Sequence, residues 1–398
     1  MRPRYYIFLK DVLLLALTAF GGPQAHISMM FRLMVDKRRY LTEKDLIELN
    51  ALCQILPGPT STQTITAIGF RIGGPNLAYL TLLIWLLPAA IIMTAAALIV
   101  TYLQTQEVSL EFTRFIKPMA VGFVAYAAWK ISSKVVETKV GIVLLVISAI
   151  LAYFFHSPWV FPALLLSGGA VTAIRYKEQP YEQDKRLRIQ WSNFILYATV
   201  LIVAAILGNY TRWLPLLLFE NFYRNGSLVF GGGQVLIPLM YTEFVDFKHY
   251  LSPEEFLSGF ALMQALPGPV FAFCSYIGTL SMRDYGVAGQ LLGALMSTVG
   301  IFLPGTFLIF FIVRFWEDLK KYRVIKASLE GINAVSSGMV TAAAVLLYHS
   351  LQPSLITSPL SQTLPNLSII VATFCILLFT KVPPPVLILT GLLLGFVF

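Results

Sequence analysis

Two short segments hold the residue types from which a polar site could be built. One reads Gln54-Ile55-Leu56-Pro57-Gly58-Pro59-Thr60-Ser61-Thr62-Gln63-Thr64, the other Gln264-Ala265-Leu266-Pro267-Gly268-Pro269. Proline has no backbone N–H and pushes the residue before it out of helical geometry, so each Pro-Gly-Pro is a firm helix break. A new helix is predicted to begin after each break, at Thr60 and at Val270, with Pro59 suited to a first turn. Upstream, Gly21-Gly22-Pro23-Gln24 and Gly231-Gly232-Gly233-Gln234 mark a second break in each half. A helix start exposes free N–H groups and about half a positive charge. Four converging ends would suit an anion. Thr60, Ser61 and Gln63 add hydroxyl and amide donors without fixed charge, and Gln24, Gln54, Gln234 and Gln264 recur at the break points. Neutral donors suit a reversible oxyanion site.

Each feature also has a plainer reading. The Pro-Gly-Pro kinks can serve packing, the glycines close helix contact, the Ser/Thr run bonds to its own carbonyls, and the glutamines interhelical contact. Their joint repetition favours a site. Ionisable residues near it are few. Arg71 suits anion attraction or an interfacial anchor. His26, beside the first glycine break, suits proton coupling or a plain polar contact. Lys117 suits anion attraction or snorkelling. Glu220 and Arg224 can pair with each other. No nucleophile elbow, zinc motif, Walker loop or dinucleotide fingerprint occurs, so no enzyme, metal or cofactor is expected.

The elements that must position these residues are membrane helices. Of 398 residues, 57% are apolar and only 12% charged, against about 25% charged in soluble chains. Lipid is the solvent that accommodates the excess. The candidate spans are Leu77–Leu103, a span near 115–133, Val140–Phe155, Pro158–Ile174, Asn193–Gly208, Ala288–Val313, Ile325–Leu351, Pro365–Thr380 and Pro383–Phe398. Arg2, Arg4 and Lys10 precede an apolar stretch, but Lys10 and Asp11 interrupt it, so this N-terminal segment is expected to be retained. The net charge of +9 sits in short loops, as the positive-inside rule requires, and no nucleic-acid partner is implied. Cys53, Cys274 and Cys375 read as small core residues.

A shift of 210 residues superposes Phe20-Gly21-Gly22 on Phe230-Gly231-Gly232 and Ala51–Pro59 on Ala261–Pro269. At 216, Leu87-Pro88 meets Leu303-Pro304. The chain divides into a first repeat, 1–175, a basic linker with one inverting helix, 176–209, and a second repeat, 210–398. Equivalent loops carry opposite charge bias. Lys37-Arg38-Arg39 answers to a nearly neutral 246–249, and Glu107 and Glu111 answer to the basic 314–326. By the Lys/Arg rule this predicts an inverted second copy, a cytoplasmic N-terminus and an outside C-terminus. The fold class expected is an all-α polytopic membrane protein of two inverted repeats with broken or re-entrant helices.

Phe20-Gly21-Gly22-Pro23-Gln24-Ala25-His26, Lys37-Arg38-Arg39-Tyr40-Leu41, Gln54–Thr60, Phe230–Gly233 and Gln264–Pro269 together resemble the chromate ion transporter family in its long, two-domain form. Tyr40 and Val235 depart from it. The resemblance implies a carrier in the bacterial inner membrane that exports chromate, coupled to the proton gradient, and confers chromate resistance. Sulfate is the look-alike substrate, since both are tetrahedral dianions. A sulfate or other oxyanion carrier and an uncoupled anion channel remain alternatives. The partners expected are chromate or sulfate and the lipid bilayer, with a homodimer left open.

Overall fold

The computed structural model describes residues 3–20, 22–106, 113–135, 138–155, 157, 159–174, 190–230, 233, 235–313, 323–351, 360–380 and 382–397. Gly21, Gly231, Gly232, Gln234, Glu107, Glu111, Lys381, nearly all of the basic linker and most of the basic 314–326 loop lie outside these residues, as does the side chain of Gln24. Every regular element among the described residues is helical.

In chain order the helices are α1 (Pro3–Thr18), α2 (Gly22–Met30), α3 (Glu43–Ile55), α4 (Thr60–Thr105), α5 (Ile116–Val135), α6 (Lys139–Phe154), α7 (Val160–Ala173), α8 (Ser192–Thr211), α9 (Leu214–Gly226), α10 (Leu236–Tyr241), α11 (Pro253–Gln264), α12 (Phe273–Ser281), α13 (Gly286–Ile312), α14 (Arg323–Leu351), α15 (Leu360–Phe379) and α16 (Pro384–Val397). The predicted spans match α5 to α8 and α13 to α16 within a few residues, and Leu77–Leu103 matches the part of α4 that follows Gly73 and Gly74. A single 3₁₀ turn, Val270–Ala272, leads into α12. The chain is thus an all-α polytopic membrane protein. Helix α8 illustrates why lipid must surround it. It is 20 residues long and buries only Ala204 and Gly208, while Ile195, Ile202 and Ile206 stand out from its surface. Water would not tolerate such a face.

The local breaks follow from residue type. Helix α4 is two helices, parted where Gly73 and Gly74 leave helical geometry, Gly74 at φ 75° and ψ −166°. Gly286, at the start of α13, has φ 67° and ψ −175°. Both conformations belong to glycine almost alone. Positions equivalent at the 210 shift agree: Gly58 and Gly268 have φ of 116° and 106°, and Arg39 and His249 have φ of 51° and 54°. Thr42 and Ser252 each close a capping box, with Asp45 and Glu255 respectively, as the sequence predicts. Helices α2 and α10 both run on into a π-helical turn, Phe31–Lys37 and Thr242–Phe247. These turns carry no composition signal and are not legible in the sequence.

The stretches flanking the breaks are short. Helix α3 has 13 residues and α11 has 12, about 20 Å each. A bilayer core is about 30 Å thick, so neither helix is long enough to cross it alone.

Two compact units emerge, and each takes segments from both sequence copies. The first comprises 1–98, 184–233 and 266–320. Within it α13 packs on α8, α9 and α12. Glycines allow this: a Cβ on Gly300 would stand 2.8 Å from the Phe219 carbonyl, and one on Gly226 2.5 Å from that of Ile301. The second unit comprises 99–183, 234–265 and 321–398. There α14 packs on α5, α6 and α7. The Thr172 hydroxyl accepts the Gly331 N–H at 3.1 Å, and Ser148 donates to the Val335 carbonyl at 3.2 Å.

Candidate functional site

Both Pro-Gly-Pro breaks fall in the first unit, as do Gly22 and Gly233. The Gly58 N–H donates to the Val229 carbonyl at 2.7 Å, and the Gly268 N–H donates to the Ala19 carbonyl at 2.9 Å. Val229 and Ala19 are themselves equivalent at the 210 shift, each one residue before a Phe-Gly-Gly. Each motif's glycine therefore bonds to the carbonyl just before the other copy's glycine turn. The positive φ of Gly58 and Gly268 aims these N–H groups, and a Cβ there would strain the backbone. Packing repeats the exchange. A Cβ on Gly58 would lie 3.4 Å from Gly305 Cα, and one on Gly268 would lie 3.0 Å from Ala89 Cβ. Gly305 and Ala89 are equivalent at the 216 shift. Gly233 sits close to the second break, with a Cβ there reaching Val270 Cβ at 3.2 Å. Gly22, at φ 77°, has open space where a Cβ would be.

On this shared frame the polar side chains come from the first copy. Pro57, Gly58, Pro59, Thr60, Ser61, Thr62, Gln63 and Thr64 are all buried. His26 is 1% exposed. Its Nε2 lies 3.1 Å from the Ala19 carbonyl, which can only accept, so Nε2 carries the proton in the neutral ring. Nδ1 is then the acceptor for the Ser61 hydroxyl at 3.1 Å. The His26 ring meets Trp85 edge-on at 5.4 Å between centroids, and Trp85 Nε1 donates to the Thr62 hydroxyl at 3.1 Å. Thr64 and Thr66 donate to carbonyls one turn back, Thr60 and Thr62, which is the plainer reading of the run. Ser61 and Thr62 depart from it. Gln63 Nε2 donates to the Pro57 carbonyl at 2.8 Å and the Gly305 carbonyl at 3.3 Å. In the second copy the equivalents are Leu236 for His26 and Phe271, Ala272 and Phe273 for Ser61, Thr62 and Gln63.

Other expected residues lie elsewhere. Gln54 is exposed at the end of α3. Arg71 is half-exposed and paired with Asp45 at 2.7 Å. Burial raises the Asp45 carboxyl, but hydrogen bonds from Thr42 and the Arg71 charge outweigh it and hold the group below the usual carboxylate range. Gln264 and Lys117 belong to the second unit, where Gln264 is half-buried and Lys117 pairs with Glu254 at 2.9 Å. Glu220 and Arg224 pair at 3.0 Å, as expected.

One cluster escaped sequence reasoning. Asp11, 4% exposed on α1, is held by two bonds from Arg38 at 2.8 and 2.9 Å and by the Tyr40 hydroxyl at 2.7 Å. Burial, then the bond to Asp11, push the Tyr40 hydroxyl up to about 12. The signal was present: a lone acid in an apolar stretch needs a cation, and Lys37-Arg38-Arg39 supplies one. A cavity of about 250 Å³ beside this cluster is lined by Arg4, Tyr40, Leu41, Ile68, Arg71 and Ile72. Among the described residues no group of acids, histidines and cysteines could hold a metal ion.

Known proteins give the site its context. The chain is 27% identical over 388 residues to the chromate transport protein of Cupriavidus metallidurans, covering 95% of this chain and 89% of that protein. It is 27% identical over 339 residues to the chromate transport protein of Pseudomonas aeruginosa, covering 83% and 77%. An uncharacterized transporter of Methanocaldococcus jannaschii is 26% identical over 342 residues, covering 83% and 81%. No solved structure matches the chain. Residues 7–173 and 216–396, which carry both sets of breaks, match the chromate transporter family, and the chain belongs to that family.

Proposed function

We propose that this chain is a secondary transporter that exports chromate across the bacterial inner membrane, bound as a tetrahedral oxyanion at the interlocked breaks of the first unit. The observation that carries this reading is the reciprocal exchange, Gly58 to Val229 and Gly268 to Ala19. It ties four chain breaks together, and non-helical backbone at membrane depth is tolerated where it is enclosed by protein or lines a wet cavity. Broken helices meeting near the midplane are the usual substrate site of secondary transporters. The identity of the anion is supported by the relatives named as chromate transport proteins.

The exchange also bears on orientation. Mutual bonds between equivalent atoms have the form of a pseudo-two-fold axis. The reversed loop charges favour an axis in the membrane plane, hence an inverted second copy, a cytoplasmic N-terminus and an outside C-terminus. Reporter fusions test this: an outside position for the basic 314–326 loop would refute inversion.

The transport reading includes coupling to the proton gradient, with His26, bonded to Ser61 and Ala19, as the candidate group. Labelled chromate and sulfate flux is measured in proteoliposomes with and without a pH gradient. A coupled chromate carrier accumulates chromate against its gradient when a pH gradient is imposed. Flux indifferent to collapse of every ion gradient would identify a channel, and sulfate moving in preference to chromate would make this a sulfate carrier.

A further inference from the structure

The Gln63 amide lies between two carbonyl oxygens. Its Nε2 donates to Pro57 O and Gly305 O, and the side chain is 3% exposed. This contact settles which way the amide points. Turned over, Oε1 would face two oxygens that can only accept, and two hydrogen bonds would become repulsive contacts. Room for the amide comes from two missing Cβ atoms. One on Gly58 would stand 2.9 Å from Nε2, and one on Gly305 2.8 Å. Oε1, by contrast, is buried with no hydrogen-bond partner. Leaving such an oxygen unpaired is costly, and proteins keep few of them.

Gln63 therefore differs from its reading in the sequence as a donor. Both hydrogens of Nε2 are committed to protein carbonyls, and what remains is an acceptor. An acceptor repels a fully ionised oxyanion and attracts one that carries a hydrogen.

We propose that Gln63 Oε1 is an acceptor within the anion site that selects the monoprotonated form of a tetrahedral oxyanion. This rests on the reading that the interlocked breaks bind the transported anion. The anion's O–H donates to Oε1 while its other oxygens accept from the first N–H groups of α4, which have no acceptor within the helix, and no covalent bond changes. Chromate takes up a proton near neutral pH, whereas sulfate does so only in strong acid. The two dianions have the same shape, and this oxygen distinguishes them by their basicity. A site built around one hydrogen bond rejects an analogue that cannot make it, because the buried partner is left unpaired.

Charged groups on neighbouring elements are paired or bonded, beginning with Asp11 on α1, which Arg38 and Tyr40 hold. His26 on α2 bonds Ser61, Arg71 on α4 pairs with Asp45, Glu220 and Arg224 on α9 pair with each other, and α13 has no charged residue from Gly286 to Ile312. Titration of His26 acts on any anion at the site, so the chromate-to-sulfate ratio isolates the substrate's own proton.

The test uses the full chain in proteoliposomes supplied with labelled chromate and sulfate, from mildly acid to mildly alkaline medium. The expected result is a chromate-to-sulfate flux ratio that falls about tenfold as pH rises, the equivalent of about 1.4 kcal/mol. In Gln63→Met, which keeps the length and loses the acceptor, the ratio is expected to be low and flat. Chromate flux in the wild type with a pH-independent ratio overturns the inference alone, and decides the matter even if the variant fails to fold. A folded Gln63→Met with the wild-type ratio and slope also overturns it, leaving Oε1 to a water. Wild type that moves neither anion overturns the carrier reading, and this inference with it.

Discussion

The first and second Pro-Gly-Pro regions have nearly the same backbone and opposite chemistry. Gly58 and Gly268 share a left-handed φ, each donates to the carbonyl before the other copy's glycine turn, and each leans on the other copy's long helix. Around Gly58 stand Ser61, Thr62, Gln63 and His26. Around Gly268 the same positions hold Phe271, Ala272, Phe273 and Leu236. Backbone geometry and side-chain chemistry are thus separable. The frame needs both copies, because each supplies the donor the other lacks. The polar groups need only one, because a second set would double the cost of burying unpaired polar atoms.

Substitutions can break this comparison. The largest effects are expected from Gly58→Ala and Gly268→Ala, and they should be alike. A side chain at that φ is strained by about 1–3 kcal/mol and the interlocking bond is misaligned. Both variants should lose most chromate flux and melt earlier in detergent. Damage from only one of them would mean the frame is not shared.

Ser61→Ala and Phe271→Leu come next, and should differ. Removing the Ser61 hydroxyl leaves His26 Nδ1 buried without its donor, a loss of about 1–3 kcal/mol, so flux should drop about tenfold or more. Phe271→Leu keeps an apolar contact and should retain most flux at equal protein loading. Equal losses would end the claim that the chemistry resides in one copy.

Trp85→Phe should act more mildly. It deletes the Nε1 bond to Thr62 and keeps the ring edge near His26, for about 1 kcal/mol, seen as a small fall in melting temperature. A melting temperature identical to wild type would make that bond incidental. Thr42→Ala and Ser252→Ala should have the smallest effects on flux. Each removes one capping box, for about 1 kcal/mol. A melting temperature identical to wild type in either variant would make that cap incidental.

Much of this arrangement was legible in the residues. The spans α5 to α8 and α13 to α16, the caps at Thr42 and Ser252, the breaks at Pro57–Pro59 and Pro267–Pro269 and the Glu220–Arg224 pair follow from local rules. The fate of the glutamines was not legible. Gln54 and Gln264 repeat between the copies yet are exposed and half-buried, while Gln63, which has no counterpart, takes the buried position against Gly305. Sequence periodicity marks which residues recur and says nothing about which carbonyl a side chain meets. Asp11 with Arg38 and Tyr40 is an intermediate case, where the need for a partner could be read and the partner's identity only narrowed.

By itself, then, the sequence determined the helices, the breaks and their twofold recurrence, because proline and glycine restrict or free φ at the residue where they stand. Only the tertiary structure decided that each break is closed by the other copy, that Ser61 serves His26, and that Gln63 presents an oxygen rather than an N–H. A hydrogen bond depends on two groups far apart in the chain, and which atoms are left for a ligand is known only after the protein's own bonds have been made.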